Sequence, residues 1–180
     1  MEIKKENIGG YHSNPDKRNW PTGSIWESEG NRIYELVKKE KPNLVVEIGA
    51  FHGCSTTWIA KALLENKKGK LISIDNSTFG VAWDLVPEWA KSVVEFWDKD
   101  CFVCDVPTNI DILFEDGSHA PNFTKKALQR YPAKIVVCHD YMHFDVGRYV
   151  GSDFREVLGS PDEVHFEGYD TDCGLAIKYS

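Results

Sequence analysis

The most constraining feature of the chain is a set of short, almost continuously apolar runs, each followed by a segment with helical spacing. "LVVEIG" (44–49), "KLISID" (70–75), "IDILFED" (110–116) and "AKIVVCHD" (133–140) are the runs in question. Continuous runs of this kind suit strands buried on both faces, as when helices cover both sides of a parallel sheet. The segments between them supply the helices. Ile33, Leu36 and Val37 fall on one helical face within 26–40, and Trp58, Ile59, Ala62 and Leu63 on another within 55–65. Further helices are expected over 122–130 and 152–158, before "DEVHFEGY" and "CGLAIKY" close the chain as an antiparallel pair. The expectation is an α/β fold, a doubly wound and mostly parallel sheet with an antiparallel C-terminal strand. At 180 residues and 42% hydrophobic content the chain has the material for one such domain. It is assigned to 25–180, behind a polar N-terminal arm over 1–24 that Trp20 would tuck down.

The region 79–109 admits three readings. If "CFVCD" (101–105) were the third strand, only four residues would precede Ile110. A parallel crossover takes roughly a dozen. Placing the strand at "SVVEFW" (92–97) leaves a cramped crossover over 98–109. The remaining option is a missing strand and a helix over 88–97, with Pro87 at its first position. The strand at 92–97 is the reading carried forward.

A net charge of −7 argues against nucleic acid, whose affinity comes from cationic side chains, and against an anionic membrane surface. The charged N-terminus "MEIKKENIGG" does not read as a signal peptide, and no run reaches transmembrane length. Five cysteines, an odd number, fit a reducing compartment, and a cytoplasmic location is expected. Cys101 and Cys104 form a C-x-x-C with no second pair at zinc spacing, and are read as buried thiols.

The glycine loop within "VVEIGAFHGCSTT" (45–57) joins an apolar strand to a helix, the position where open α/β sheets bind ligands. Phe51 stands where a dinucleotide fingerprint needs glycine, and no Lys or Arg occurs between 45 and 60 to hold a phosphate. Acids fall at or beyond the carboxyl ends of successive strands: Glu47, Asp75, Asp98 or Asp100, Glu115, Asp116 and Asp140. A pyrophosphate there would meet like charges, whereas a ligand with a ribose and a positive charge suits the rim. S-adenosylmethionine is such a ligand.

From about Ser24 onward the sequence resembles the class I S-adenosylmethionine-dependent methyltransferases. It is most similar to the small O-methyltransferase-like branch that includes the cephalosporin-hydroxylase-like and macrocin O-methyltransferase-like groups. The motifs that carry the resemblance are "IWESEGNRIYELV", "VVEIGAFHGCSTTWIA", "LISID", "DILFEDGSH", "VVCHDY" and "VGSDFREVL", in that order. A Rossmann-like methyltransferase sheet is what it implies. Carried over by position, Glu47, Gly49, Gly53 and Ser55, with Ala50 and Phe51, would shape the loop under the methionine part of the cofactor. Asp75 would take the ribose hydroxyls, with Asn76 and Asp116 beside the cofactor. Asp100 best matches the acid facing the adenine amine, with Asp105 the runner-up. The chain departs from the family in a shorter crossover before Ile110 and in "YPAKIVV" where a Gly-Gly pair precedes the fifth strand.

Methyl transfer to a hydroxyl needs alignment and a base or a metal. His119 and His139 are the candidate bases. By resemblance to metal-dependent O-methyltransferases, Asp116, His139 and Asp140 are the candidate ligands of a divalent cation, magnesium or manganese. His139, where some relatives have an acid, would also tolerate a transition metal. His52 is expected at the pocket mouth, His143 and Asp145 in solvated loop, and Trp83, Trp89 and Trp97 in core or lid. The expected function is methyl transfer to a small-molecule acceptor, with no nucleic-acid or membrane partner and homo-oligomerisation open. The alternatives are a non-catalytic or regulatory protein on the same fold and, less favoured, a nicotinamide-dependent oxidoreductase.

Overall fold

The computed structural model describes residues 25–76, 86–142, 147–165 and 174–180. The four apolar runs form β1 (Leu44–Ile48), β2 (Lys70–Asp75), β4 (Ile110–Glu115) and β5 (Ala133–Cys138), with β3 (Val94–Asp98) between β2 and β4 in the chain and β6 (Glu163–His165) and β7 (Leu175–Tyr179) at its end. Among the described residues five helices accompany them: α1 (Glu27–Glu40), α2 (Cys54–Asn66), α3 (Glu88–Lys91), α4 (Phe123–Arg130) and α5 (Gly147–Leu158). The sheet runs β3-β2-β1-β4-β5-β7-β6. β1 through β5 are parallel, and β7 is antiparallel to both β5 and β6. Strand order therefore reverses between β1 and β4. A crevice beyond their carboxyl ends is the place for a ligand. The doubly wound fold with an antiparallel close is as expected from the apolar runs.

Two cores sandwich the sheet. On one face α1 and α2 bury Ile33, Val37, Trp58 and Leu63 against Val45, Leu71, Ile112 and Phe114. On the other, α4 and α5 bury Leu128 and Phe154 against Val46, Ile72, Leu113 and Val136. Gly30 sets the first of these contacts. A Cβ there would lie 2.2 Å from Nε1 of Trp58, so only glycine lets α1 settle this closely on α2. That seating brings the first turn of α1 to the carboxyl edge of the sheet.

The third strand exists at Val94–Asp98, two residues later than the expected start, and the short helix α3 precedes it behind Pro87. Two of the three sequence readings thus each held a part. The crossover over 99–109 contains no helix, and it is long enough. Moving three strands sideways takes about 14 Å and returning along β4 about 17 Å, or about 22 Å directly. The segment can span about 36 Å when extended. It fills the space a helix would take: Cys101 and Cys104 are buried in the second core, and Arg130 donates to both of their carbonyls (3.1 and 2.7 Å). Both thiols are free, as expected for buried cysteines. Trp89 and Trp97 pack half-buried against the cores. The N-terminal arm with Trp20, together with Trp83, His143 and Asp145, lies outside the described residues.

Candidate functional site

On the β1–β2 side of the crevice the glycine loop is held by neutral donors and close packing. Gly49 follows β1 with φ +88°, and a Cβ on it would sit 2.0 Å from the carbonyl oxygen of Asp116. Loop and β4 turn are thereby in backbone contact, and only glycine permits it. The amides of Ala50 and Phe51 both donate to Oδ2 of Asp75, at 2.9 Å each. Phe51 adopts φ +45°, rare for a bulky side chain and costing on the order of 1 kcal/mol or more. Gly53, at φ +81°, leads into α2. Asn76 follows Asp75 and is exposed; the His52 ring lies 3.8 Å, centroid to centroid, from that of Phe51.

Glu47 shapes this loop from beneath. It is fully buried and accepts from the hydroxyls of Ser55 (2.6 Å), Thr56 (2.6 Å) and Ser73 (2.5 Å). Burial pushes its carboxyl up to about 7, against the pull of those three hydroxyls. Glu115 is likewise buried and pushed up to about 7; it accepts from the Gly117 amide and the Cys138 thiol. The rim of charge expected from the sequence is therefore smaller. Glu47 and Glu115 lie under the loops, and Asp75, Asp98, Asp116 and Asp140 remain. Asp75 and Asp98 are register partners on β2 and β3. Asp100 is exposed and accepts from the Phe102 amide (2.7 Å), turning the crossover; Asp105 is exposed beyond it.

The β4–β5 side is of a different chemistry. Asp116 follows β4, and His139 and Asp140 follow β5. Asp140 takes φ +54°, a left-handed turn that aspartate tolerates better than most residues. His139 is 7% exposed in its side chain and touches three carboxylates. Its Nδ1 is 3.0 Å from Asp116 Oδ1 and 3.3 Å from Asp140 Oδ2, and its Nε2 is 3.0 Å from Glu29 Oε2. His119 sits further out, its side chain 35% exposed, with Nε2 2.7 Å from Asp140 Oδ2. Burial alone would lower His139; the surrounding Asp116, Asp140 and Glu29 overrule it and hold the imidazole well above its usual value. His119 is raised chiefly by its hydrogen bond to Asp140, with burial opposing. Burial raises Asp116 despite His139. For Asp140 burial is outweighed by His139 and His119, and its carboxyl lies far below the usual range.

One donor atom each from Asp116, His139 and Asp140 lies within 4.8 Å of the other two. Neighbouring ligands on a cation with bonds of 2.0–2.2 Å stand about 2.8–3.6 Å apart, from octahedral to tetrahedral geometry. His139 Nδ1 lies 3.0 and 3.3 Å from the two carboxylates, which also serve it as hydrogen-bond partners, and two carboxylates with one imidazole are a donor set of the kind that divalent cations take. The structure brings these three residues and His119 together at one edge of the sheet, and it adds Glu29, Thr56 and Ser73, which the sequence did not mark. Glu29 carried a local signal only. As the third residue of α1 it accepts the Trp26 amide (3.0 Å) and helps cap the helix.

A family model described as "Methyltransferase domain" matches residues 46–141. The fold is shared with the O-methyltransferase TomG of Streptomyces achromogenes, involved in tomaymycin synthesis and solved with SAM. The TM-score is 0.67 at 19% identity, over 100% of this chain and 91% of that one. It is shared too with an O-methyltransferase of Bacillus cereus in complex with SAH, at TM-score 0.68 and 17% identity over 90% and 85%. A methyltransferase from Geobacter sulfurreducens aligns at TM-score 0.59 and 21% identity over 84% and 78%. No curated protein matches the chain.

Proposed function

The chain belongs to this methyltransferase-domain family, and on that premise we propose that it methylates a hydroxyl of a small molecule with His119 as the base. The expectation of an S-adenosylmethionine-dependent methyltransferase is borne out at the level of the family. The observation that carries the finer reading is the backbone contact of Gly49 with Asp116, which sets the cofactor loop directly beside the acid–imidazole cluster.

S-adenosylmethionine, when bound, supplies a methyl group already activated by its sulfonium. Three features favour it: Gly49 and Gly53 let the loop pack onto Asp116 and Val86, no Lys or Arg among 45–60 repels a sulfonium, and Asp75 stands at the end of β2 for the ribose. Ala50 and Phe51 orient that carboxylate through their amides. His119 donates Nε2–H to Asp140, leaving Nδ1 to receive the acceptor's proton. Nδ1 of His119 would take the acceptor's proton as its oxygen gains the methyl group, with S-adenosylhomocysteine as the leaving group. Asp140 steadies the imidazolium, the role an orienting carboxylate takes beside a catalytic histidine. Asp116, His139 and Asp140 would hold a magnesium, manganese or transition-metal ion, whose chemistry there would be to lower the acceptor's pKa. Asp100 on the adenine side belongs to the same proposal, whereas His139, buried with both ring nitrogens on carboxylates, is given the ligand role and not that of a second base.

We place the catalytic unit at 25–180 in the cytosol, with a small-molecule acceptor and neither nucleic acid nor membrane as partner; a homo-oligomer is compatible with it. The charge of −7 and the free thiols of the four cysteines among the described residues support this. No described helix is long and apolar enough to cross a membrane. The experiment is transfer of a labelled methyl from S-adenosylmethionine to panels of small hydroxyl, amine and thiol acceptors, with and without manganese. Labelled ethers are expected; label confined to amines or thiols would overturn the hydroxyl assignment.

A further inference from the structure

Glu29 comes from α1, 110 positions before His139. It is 3% exposed and spends one oxygen, Oε2, on two partners: the Trp26 amide and the His139 Nε2, each at 3.0 Å. A buried carboxylate so placed acts as a fixed acceptor. Its seating is determined from two sides, by the helix start and by Gly30, whose lack of a side chain lets α1 rest on Trp58. The opposite edge of the His139 ring meets Asp116 and Asp140.

We infer that Glu29 is a positioning residue for His139, holding Nε2–H so that Nδ1 is turned to Asp116 and Asp140. The inference extends the methyltransferase reading above to the helix in front of the sheet. A histidine whose far nitrogen is bound to a buried carboxylate keeps one ring orientation and one tautomer when its near nitrogen serves as a ligand. The first turn of α1 is then a wall of the site. A nitrogen presented this way also favours a borderline metal such as zinc over magnesium, which prefers oxygen.

The test uses the full chain labelled with nitrogen-15 at histidine. The wild type is expected to show a slowly exchanging Nε2–H proton for His139. Glu29→Gln keeps an acceptor for both partners and should retain that signal. Glu29→Ala should lose it while the amide spectrum stays folded. Zinc binding, followed by calorimetry, should weaken at least tenfold in Glu29→Ala and by less than threefold in Glu29→Gln, in line with the roughly 10–100-fold effect of outer ligand partners. A His139 Nε2–H that persists in Glu29→Ala, or is absent from the wild type, overturns the inference. So does unchanged zinc affinity in Glu29→Ala. If the wild type takes up no zinc, the cation half of the proposed function fails, and the ring signal still decides the role of Glu29.

Discussion

The two halves of the carboxyl edge are built on opposite principles. On the β1–β2 side an acid is kept dry: Glu47 is enclosed by three hydroxyls and Asp75 is tied to two backbone amides. On the β4–β5 side acids are brought together with imidazoles, and the titratable groups Asp116, His119, His139, Asp140 and Glu29 converge. The first half can hold a ligand by shape and neutral hydrogen bonds. The second can move a proton or hold a cation. Catalysis by positioning plus proton transfer needs both, and the Gly49–Asp116 contact fixes the distance between them.

The division is broken most severely at His119. His119→Ala is expected to reduce methyl transfer by about 10²–10⁴-fold, with S-adenosylhomocysteine affinity changed less than threefold. Because Asp140 raises His119, with Asp116 adding and His139 opposing, the proton-accepting form grows in only above the usual 6.5, so turnover should climb with pH there. Equal losses of turnover and cofactor affinity would mean the two halves are not separate.

Gly49→Ala attacks the join itself. The added Cβ meets Asp116 at 2.0 Å on a left-handed backbone, and a cost of at least about 2 kcal/mol in denaturant unfolding is expected, with cofactor binding lost. A stable, binding-competent variant would show that the contact is not needed.

Glu47 tests the dry half through pH. Its folded carboxyl titrates at about 7, above its ordinary 4.5, so the folded state holds a proton that the unfolded state has released between those values. Its contribution to stability is complete below about 4.5 and is lost as pH rises through about 7. Glu47→Gln should flatten that part of the stability–pH curve, on the order of 3 kcal/mol. An unchanged slope would place the titration elsewhere. The smallest effect is assigned to Asp75→Ala, a roughly tenfold loss of S-adenosylhomocysteine affinity (about 1.4 kcal/mol), with acceptor chemistry intact at saturating cofactor.

The sequence made β1, β2, β4 and β5 legible because strands buried on both faces leave unbroken apolar runs. It made Asp116, His119, His139 and Asp140 legible because each follows such a run directly, and strand ends of a parallel sheet share an edge. Glu29 had no such marker: its meeting with His139 depends on how closely α1 can approach α2, which Gly30 and Trp58 decide in three dimensions. Glu47 was misjudged as a rim charge for a related reason. Its position in β1 is plain, but its burial depends on Ser55, Thr56 and Ser73 arriving from two other elements. The crossover expected over 98–109 looked cramped because its length was set against that of a helical connection rather than the distance to be covered.

On the proposed function, the glycine loop and Asp75 form a cradle for S-adenosylmethionine. Calorimetric titration of the wild-type chain with S-adenosylhomocysteine tests it most directly. Micromolar, one-to-one binding that weakens about tenfold in Asp75→Ala is the predicted result. No heat and no thermal shift with either S-adenosylhomocysteine or S-adenosylmethionine would contradict it.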